Sequence, residues 1–346
     1  MKIRNPKSEI RCAEAGAAAG GRPDFRVLKW IRILVGLVLF SVAVTGRAQE
    51  SLTNRPFHAG FSSVMLQQFN ENDAKAAIKV WVEAFVREGA FQADSSAKVF
   101  DNIGEMAAEI QRQDVDGVTM PVKELFEIKD RVKFDRYIFE CNNGNIEDDY
   151  VLLVHQNSPF VRIEDLQGHP LYILHQHRMS LAVPWLDVLL MEKGLKPASG
   201  FFGQMNEANK LTQTVLPVFF RQADACLVTR AGFETMGELN PQVSQQLRVL
   251  ASSPPLVSTG FFLRSGFPKA EQDKLMNAIV RIHTSVAGQQ VLTVFQSERL
   301  EERPPSILDG TFVLLERHRQ LMNGTNSIQP SPASQAQSSR MEARNK

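Results

Sequence analysis

The sequence predicts an α/β protein of two lobes, each a mostly parallel sheet flanked by helices, joined by a two-strand hinge. Three observations predict this. From Phe57 onward, short apolar runs alternate with amphipathic stretches, the pattern of βα units built on a parallel sheet. The 346 residues, 43% apolar and 22% charged, suit about two ordinary globular domains of roughly 150 residues each. Two extended segments, Arg131 to Cys141 and Tyr150 to His155, flank the polar loop Asn142 to Asp149, as a passage from one lobe to the next requires.

The elements follow in order. Phe57 to Phe61 reads as a first strand, and Asn72 or Asp73 as the cap of a helix that carries Ala76, Ala77, Val80, Trp81, Ala84 and Phe85 on one face. The strand Ala97 to Phe100, the helix Ile103 to Arg112 and the strand Val115 to Met120 complete a second unit and begin a third. In the second lobe, a turn from Ile163 to Leu166 leads to the strand Pro170 to Leu174. A helix follows from about Ser180 to Lys193, stopped by Gly194. A strand Gly200 to Gly203, a helix from about Glu207, the apolar strand Ala225 to Thr229 and the helix Ala231 to Leu239 come next. Leu247 to Ala251 and Ser258 to Arg264 are strand-like, and a long helix from Lys269 to Ala287 returns to the first lobe. The expected organisation is residues 49–147 for the first lobe, 148–252 for the second, 253–322 for the return, and a disordered tail over 323–346 rich in Ser, Gln, Pro and Asn.

The first 48 residues stand apart. Arg26, Lys29 and Arg32 precede an uncharged run from Ile33 to Thr45, and Gly46-Arg47-Ala48 offers small residues where a signal peptidase reads. A run of 13 residues, at about 1.5 Å per residue, is too short for a bilayer core of about 30 Å. Residues 1–48 are therefore expected to be a signal peptide that sends the chain to the periplasm, with an uncleaved anchor as the alternative. Without them, 30 Lys and Arg face 35 Asp and Glu, a mildly acidic balance that disfavours nucleic acid as a partner. Cys141 and Cys226 remain, far apart and inside apolar stretches: two separate buried thiols, with one disulfide as the alternative export permits.

No G-x-S-x-G elbow, H-E-x-x-H, C-x-x-C, G-x-x-x-x-G-K-[ST] or G-x-G-x-x-G occurs. No enzyme activity and no cofactor are therefore expected, and an exported hydrolase with a triad assembled only in space is the alternative. The sharpest pointer is His175-Gln-His-Arg-Met-Ser180, between an apolar strand and a helix start. Helix N-termini attract anions through unpaired N–H groups and the macrodipole. There Ser180 either caps the helix or donates to a ligand, and Arg178 either meets solvent or supplies a planar cation for an oxyanion. His177 alternates with His175 to one side if the strand continues, which also admits a metal pair. Ligands in open α/β sheets bind at the carboxyl ends of strands. Ser62 and Ser63, Asp101 and Asn102, Thr119, Gln204 and Asn206, and Thr229 with Arg230 lie in such loops, each with a plain turn or cap reading beside the ligand one.

The stretch Val151-Leu-Leu-Val-His-Gln-Asn-Ser-Pro-Phe-Val-Arg-Ile-Glu-Asp-Leu-Gln-Gly-His-Pro-Leu resembles a strand, Ser-Pro turn, "DL-G" turn and strand common in type II periplasmic binding proteins. With Arg178 to Pro184, Val215 to Thr229 and Leu247-Arg-Val-Leu-Ala-Ser-Ser-Pro-Pro, it is similar to the phosphate, phosphite and phosphonate type of ABC-transporter substrate-binding protein, over about Phe57 to Leu321. That resemblance implies two hinged lobes, a small anionic solute in the cleft, no catalysis, and an ABC permease as partner of a monomer. In the family a Ser-Thr-Ser-Gly run holds the anion; the matching positions are His177, Arg178, Met179 and Ser180, and the family's Gly-Ser-His matches Gly203-Gln204-Met205. A ligand-sensing module for a membrane signalling partner would use the same lobes.

Overall fold

The computed structural model describes residues 56–67, 71–87, 95–142 and 144–326. The expected signal peptide and the expected tail beyond residue 326 lie outside the described residues. Two sheets form. The first has the order β11-β4-β10-β3-β1-β2, with β1 His58–Ser62, β2 Ser96–Phe100, β3 Gly117–Pro121, β4 Phe134–Cys141, β10 Thr259–Arg264 and β11 Arg299–Glu302. The second has the order β7-β6-β8-β5-β9, with β5 Tyr150–His155, β6 Pro170–Leu174, β7 Gln204–Ala208, β8 Ala225–Thr229 and β9 Leu247–Ser252.

Both sheets are mixed. β1 is parallel to β2 and β3, and β6 is parallel to β7 and β8, because a helix or a longer crossover separates each pair. β10 and β11 run against their neighbours in the first sheet, and β5 against β8 and β9 in the second. The reversal follows from the connectivity: the chain leaves the first sheet by β4, enters the second by β5, and comes back by β10. β5 and β10 are buried along their whole length, as strands covered on both faces by helices must be.

The helix Glu71–Arg87 buries Ala77, Ile78, Trp81, Ala84 and Phe85 against the first sheet. Ala76 and Val80, expected on that face, are exposed, so the buried stripe is turned by one residue. The expected long helix from Lys269 is broken. It runs Lys269–Arg281, passes through a 3-10 turn Ile282–Thr284, and restarts as Val286–Val294. Ser285 causes the restart, since its Oγ accepts the Gly288 N–H at 3.1 Å. A Cβ on Gly288 would stand 1.8 Å from the Ile282 carbonyl oxygen, so Gly288→Ala is expected to lower unfolding free energy by about 2–3 kcal/mol in urea titrations.

Two further corrections concern the second lobe and its cover. Ala198–Phe201 is a helical turn and the strand comes four residues later than expected, as Gln204–Ala208. The last helix, Asp309–Asn326, extends past the expected boundary at 322 and packs on the second lobe's helix Ala182–Met191, with Leu314 and Leu315 buried in that lobe's core. His318 Nε2 lies 3.0 Å from Asp187 Oδ2, and Arg317 Nε donates to Glu192 at 2.8 Å. Cys141 sits in the first sheet and Cys226 in the second; both are buried free thiols, with burial pushing each thiol pKa up. Among the described residues no helix is long and apolar enough to cross a membrane.

Two segments cross between the sheets, 142–149 and 253–258, and they pair with each other. Asp148 N and O bond Leu256 O and N, each at 2.8 Å. Tyr150 N donates to Ser253 Oγ at 2.8 Å. Thr311 fastens the last helix to the second crossing: its Oγ1 accepts the Val257 N–H at 3.0 Å and donates to the Val257 carbonyl at 3.3 Å.

Candidate functional site

The carboxyl ends of β1, β3, β6 and β8 and the start of β5 all lie toward the two crossings, since Phe61 pairs with Thr119 and Tyr150 with Thr229. This is the edge at which α/β sheets bind ligands. Here the 3-10 turn Ser63–Leu66 after β1 meets the 3-10 turn His177–Met179 after β6.

The polar groups that converge here begin with Arg178. Its Nε and Nη2 donate to Asp148 Oδ2 and Oδ1 at 2.9 and 2.8 Å, a bidentate pair. Asp148 belongs to the first crossing and is buried. Burial pushes its carboxyl above the usual range, Arg178 pulls it back, and the Glu140 charge pushes it up again. Ser258 Oγ, in the second crossing, donates to Asp148 Oδ2 at 3.4 Å. Tyr150 Oη donates to the Arg178 carbonyl at 2.8 Å. The guanidinium thus ties the turn after β6 to the first crossing, and Asp148 links it on to the second.

His177 is packed beside this pair with its side chain 1% exposed, and its Nε2 faces Glu140 Oε2 of β4 at 3.5 Å. Neither ring nitrogen of His177 makes a hydrogen bond, nor do Glu140 Oε2 and Glu124 Oε2. Glu124 follows β3 on the helix Val122–Ile128. Burial raises its carboxyl pKa, with the Ser62 hydroxyl acting in the opposite direction. A carboxyl held above its ordinary pKa binds its proton more tightly folded than unfolded, so its contribution falls as pH rises through that interval. Glu124→Gln is therefore expected to raise the melting temperature at neutral pH, and the gain over the parent should shrink below the ordinary glutamate pKa of about 4.3.

The structure distributes the expected site residues unevenly. Ser62 is buried and accepts the Val64 N–H at 3.2 Å, capping the turn that begins at Ser63. Asn102 caps the helix Ile103–Arg112, its Oδ1 accepting from Gly104 N at 2.7 Å and Glu105 N at 3.1 Å. Asn102, Glu124 and Ser180 line one space of about 370 Å³, which brings groups from both lobes together. Thr119 lines a cavity inside the first lobe that also touches Glu140. Thr229 caps the helix Arg230–Leu239 through Gly232 N at 3.1 Å and lines, with Arg178 and Arg230, a second space of about 670 Å³ beside the crossings. Arg230 pairs with Asp149.

Three expectations are corrected. Arg178 is neither in water nor free for an oxyanion, because Asp148 occupies its fork. Ser180 does not cap the helix Ala182–Met191, whose cap is Leu181; its Oγ donates across the lobes to the Ser258 carbonyl at 3.2 Å. His175 Nδ1 lies 3.0 Å from Glu207 Oε2, while His177 faces Glu140. Among the described residues no cluster of three or more His, Cys, Asp or Glu is arranged to hold a metal. Gln204 opens β7 and Asn206 lies in its middle, paired with Tyr172. Gln204 is therefore four residues, at about 3.3 Å each, from the carboxyl end of that strand, because the strand starts later than the sequence suggests.

Sequence reasoning missed Glu124, Glu140, Asp148, Tyr150 and Ser258. Glu140 left one signal, an acid in the otherwise apolar Tyr137-Ile-Phe-Glu-Cys just before the crossing.

Comparison with known proteins bears on this arrangement. No curated protein matches the sequence. A Xanthomonas citri protein solved with ATP bound has TM-score 0.55 and 14% identity, covering 77% of this chain and 98% of its own. A Pseudomonas aeruginosa binding protein component of an ABC phosphonate transporter has TM-score 0.54 and 14% identity, covering 84% and 100%. PhnD1 of Prochlorococcus marinus, in complex with methylphosphonate, has TM-score 0.51 and 12% identity, covering 80% and 100%. At these identities the likeness is one of fold, the two-lobed fold of periplasmic binding proteins. Residues 64–304 match the family model described as ABC transporter, phosphonate, periplasmic substrate-binding protein, and over that span, most of the chain, this protein belongs to that family.

Proposed function

We propose that the chain is exported to the periplasm, captures one small solute between its lobes as a monomer, and hands it unchanged to an ABC permease. The observation that supports this best is the buried polar cluster at the meeting of the lobes. Asp148 of the first crossing, Ser258 of the second and Arg178 of the turn after β6 share hydrogen bonds there. A solute that reaches His177 and Glu140 therefore touches one group from each lobe, and its binding favours one relative position of the lobes by as much as it prefers that position. The sequence suggests an anionic solute through Arg178; with that guanidinium closed on Asp148, an oxyanion would have to displace a bidentate carboxylate to use it.

The chain purified from the periplasm should release one small molecule on denaturation, seen by mass spectrometry. It should also gain thermal stability with that molecule, by RT ln(1 + [L]/Kd) for one site. Absence of any co-purifying molecule, together with no heat and no thermal shift across phosphate, phosphonates, sulfonates, carboxylates, amines and sugars, would overturn the proposal.

A further inference from the structure

Among the described residues no guanidinium or ammonium group pairs with the Glu140 carboxylate at the lobe interface; only the His177 imidazole faces it. Asp148 takes both forks of Arg178. Glu140 is near enough that its charge acts on both members of that pair, yet its Oε2 is buried with no hydrogen bond. The imidazole facing it, His177, stands off at 3.5 Å with its side chain 1% exposed, and both ring nitrogens lack a hydrogen bond. Glu124 Oε2 is buried and unbonded as well. Buried polar atoms are satisfied in the great majority of proteins, and a carboxylate left alone in a low-dielectric site is costly. An oxyanion placed against Glu140 would meet a charge of its own sign; an ammonium would meet an acceptor.

Against Glu140 lies a partly open cavity of the first lobe. Phe61, Trp81, Phe85, Phe261 and Phe295 wall it, with Glu140 on the same wall. The rings hold one another: Phe61 and Trp81 are edge-to-face at 5.2 Å, and Trp81 and Phe85 are 4.7 Å apart. The cavity measures about 40 Å³, against about 10–15 Å³ on the same measure for one water. That is room for a tail of about three or four heavy atoms. Protein interiors pack to crystal density, and an apolar void of this size ending on an unbonded carboxylate has the shape and polarity of a short organic cation. Aromatic rings add attraction for positive charge.

Resting on the capture reading above, we infer that the solute is a small organic cation, an ammonium on a short apolar tail. The head bonds Glu140 Oε2 beside His177, and the tail fills the aromatic cavity of the first lobe.

Isothermal titration of the chain purified from the periplasm and stripped of ligand, with n-butylammonium and with n-butylphosphonate, sets two heads on one tail. The ammonium should bind at least about tenfold more tightly, the range of a hydrogen bond to a charged group. Lengthening the tail from methylammonium to n-butylammonium should strengthen binding about fourfold per methylene. Glu140→Gln keeps the shape and removes the charge, and should weaken n-butylammonium about tenfold or more; the comparison of the two heads on the parent needs no variant and stands even if Glu140→Gln fails to fold. Binding confined to n-butylphosphonate, or to other anions or neutral solutes, would overturn the cation and leave solute capture standing, as would a folded Glu140→Gln with parental affinity for n-butylammonium. Failure of every solute, charged or neutral, would overturn the capture reading and the cation with it.

Discussion

Asp116→Ala is expected to lower the unfolding free energy by about 3–5 kcal/mol, the range for removing one partner of a buried ion pair. Asp116 is 0% exposed and Arg264 3% exposed. Asp116 Oδ1 accepts from Arg264 Nη2 at 2.9 Å and Nε at 3.2 Å, and Oδ2 accepts the His58 N–H at 3.1 Å. The backbone oxygen of Asp116 also accepts the Arg264 N–H at 3.0 Å. The pair therefore joins the start of β1, the residue before β3 and the end of β10, strands that are neighbours in the first sheet. Alanine leaves a guanidinium with no counter-charge in a closed site and strips the His58 amide of its acceptor. Urea titration should show the midpoint falling with an unchanged slope. The double variant Asp116→Leu, Arg264→Met should recover most of the loss, since an apolar pair of similar volume is often no worse than the ionic one. A loss under about 1 kcal/mol for Asp116→Ala, the range of exposed pairs, would show that the site admits water.

Arg178→Ala carries the second large effect, also about 3–5 kcal/mol, and it acts on the crossings rather than on a sheet. Asp148 would be left buried without its cation, and Ser258 alone would bond it. Arg162→Ala is the control: Arg162 is exposed and its loss should stay within about 0.5 kcal/mol. If the two variants unfold at the same urea concentration, Arg178 does not hold the crossing. Arg178→Met with Asp148→Leu should restore stability, and any binding defect that survives in that folded double variant belongs to the site itself.

Much of the architecture is legible in the sequence because burial writes it at short range. The apolar runs of β5, β6, β8 and β10 are covered on both faces, so they read as unbroken hydrophobic segments. The polar loop after Cys141 marks the crossing because backbone leaving a sheet needs turn chemistry. The cleft resists such reading for the opposite reason, since its chemistry depends on partners far along the chain. Arg178 looks like a free cation until Asp148, 30 positions earlier, closes on it. Ser180 looks like a helix cap until Ser258, 78 positions later, accepts its hydroxyl. Gln204 and Asn206 are hidden by a local ambiguity, since the apolar Phe201-Phe202 reads as strand and closes a helical turn. The seat of the last helix is not legible, because Leu314 and Leu315 say only that a face is buried, not against what.

The fastening of Thr311 to Val257 has a mechanical consequence. Two paired strands running side by side can bend about their line and can also twist around it. A third tie set off that line, made by a rigid helix seated on the far half, opposes twisting and leaves bending as the soft coordinate. The halves of this molecule should swing apart like a door on its frame, either shut or parted, with few skewed positions between.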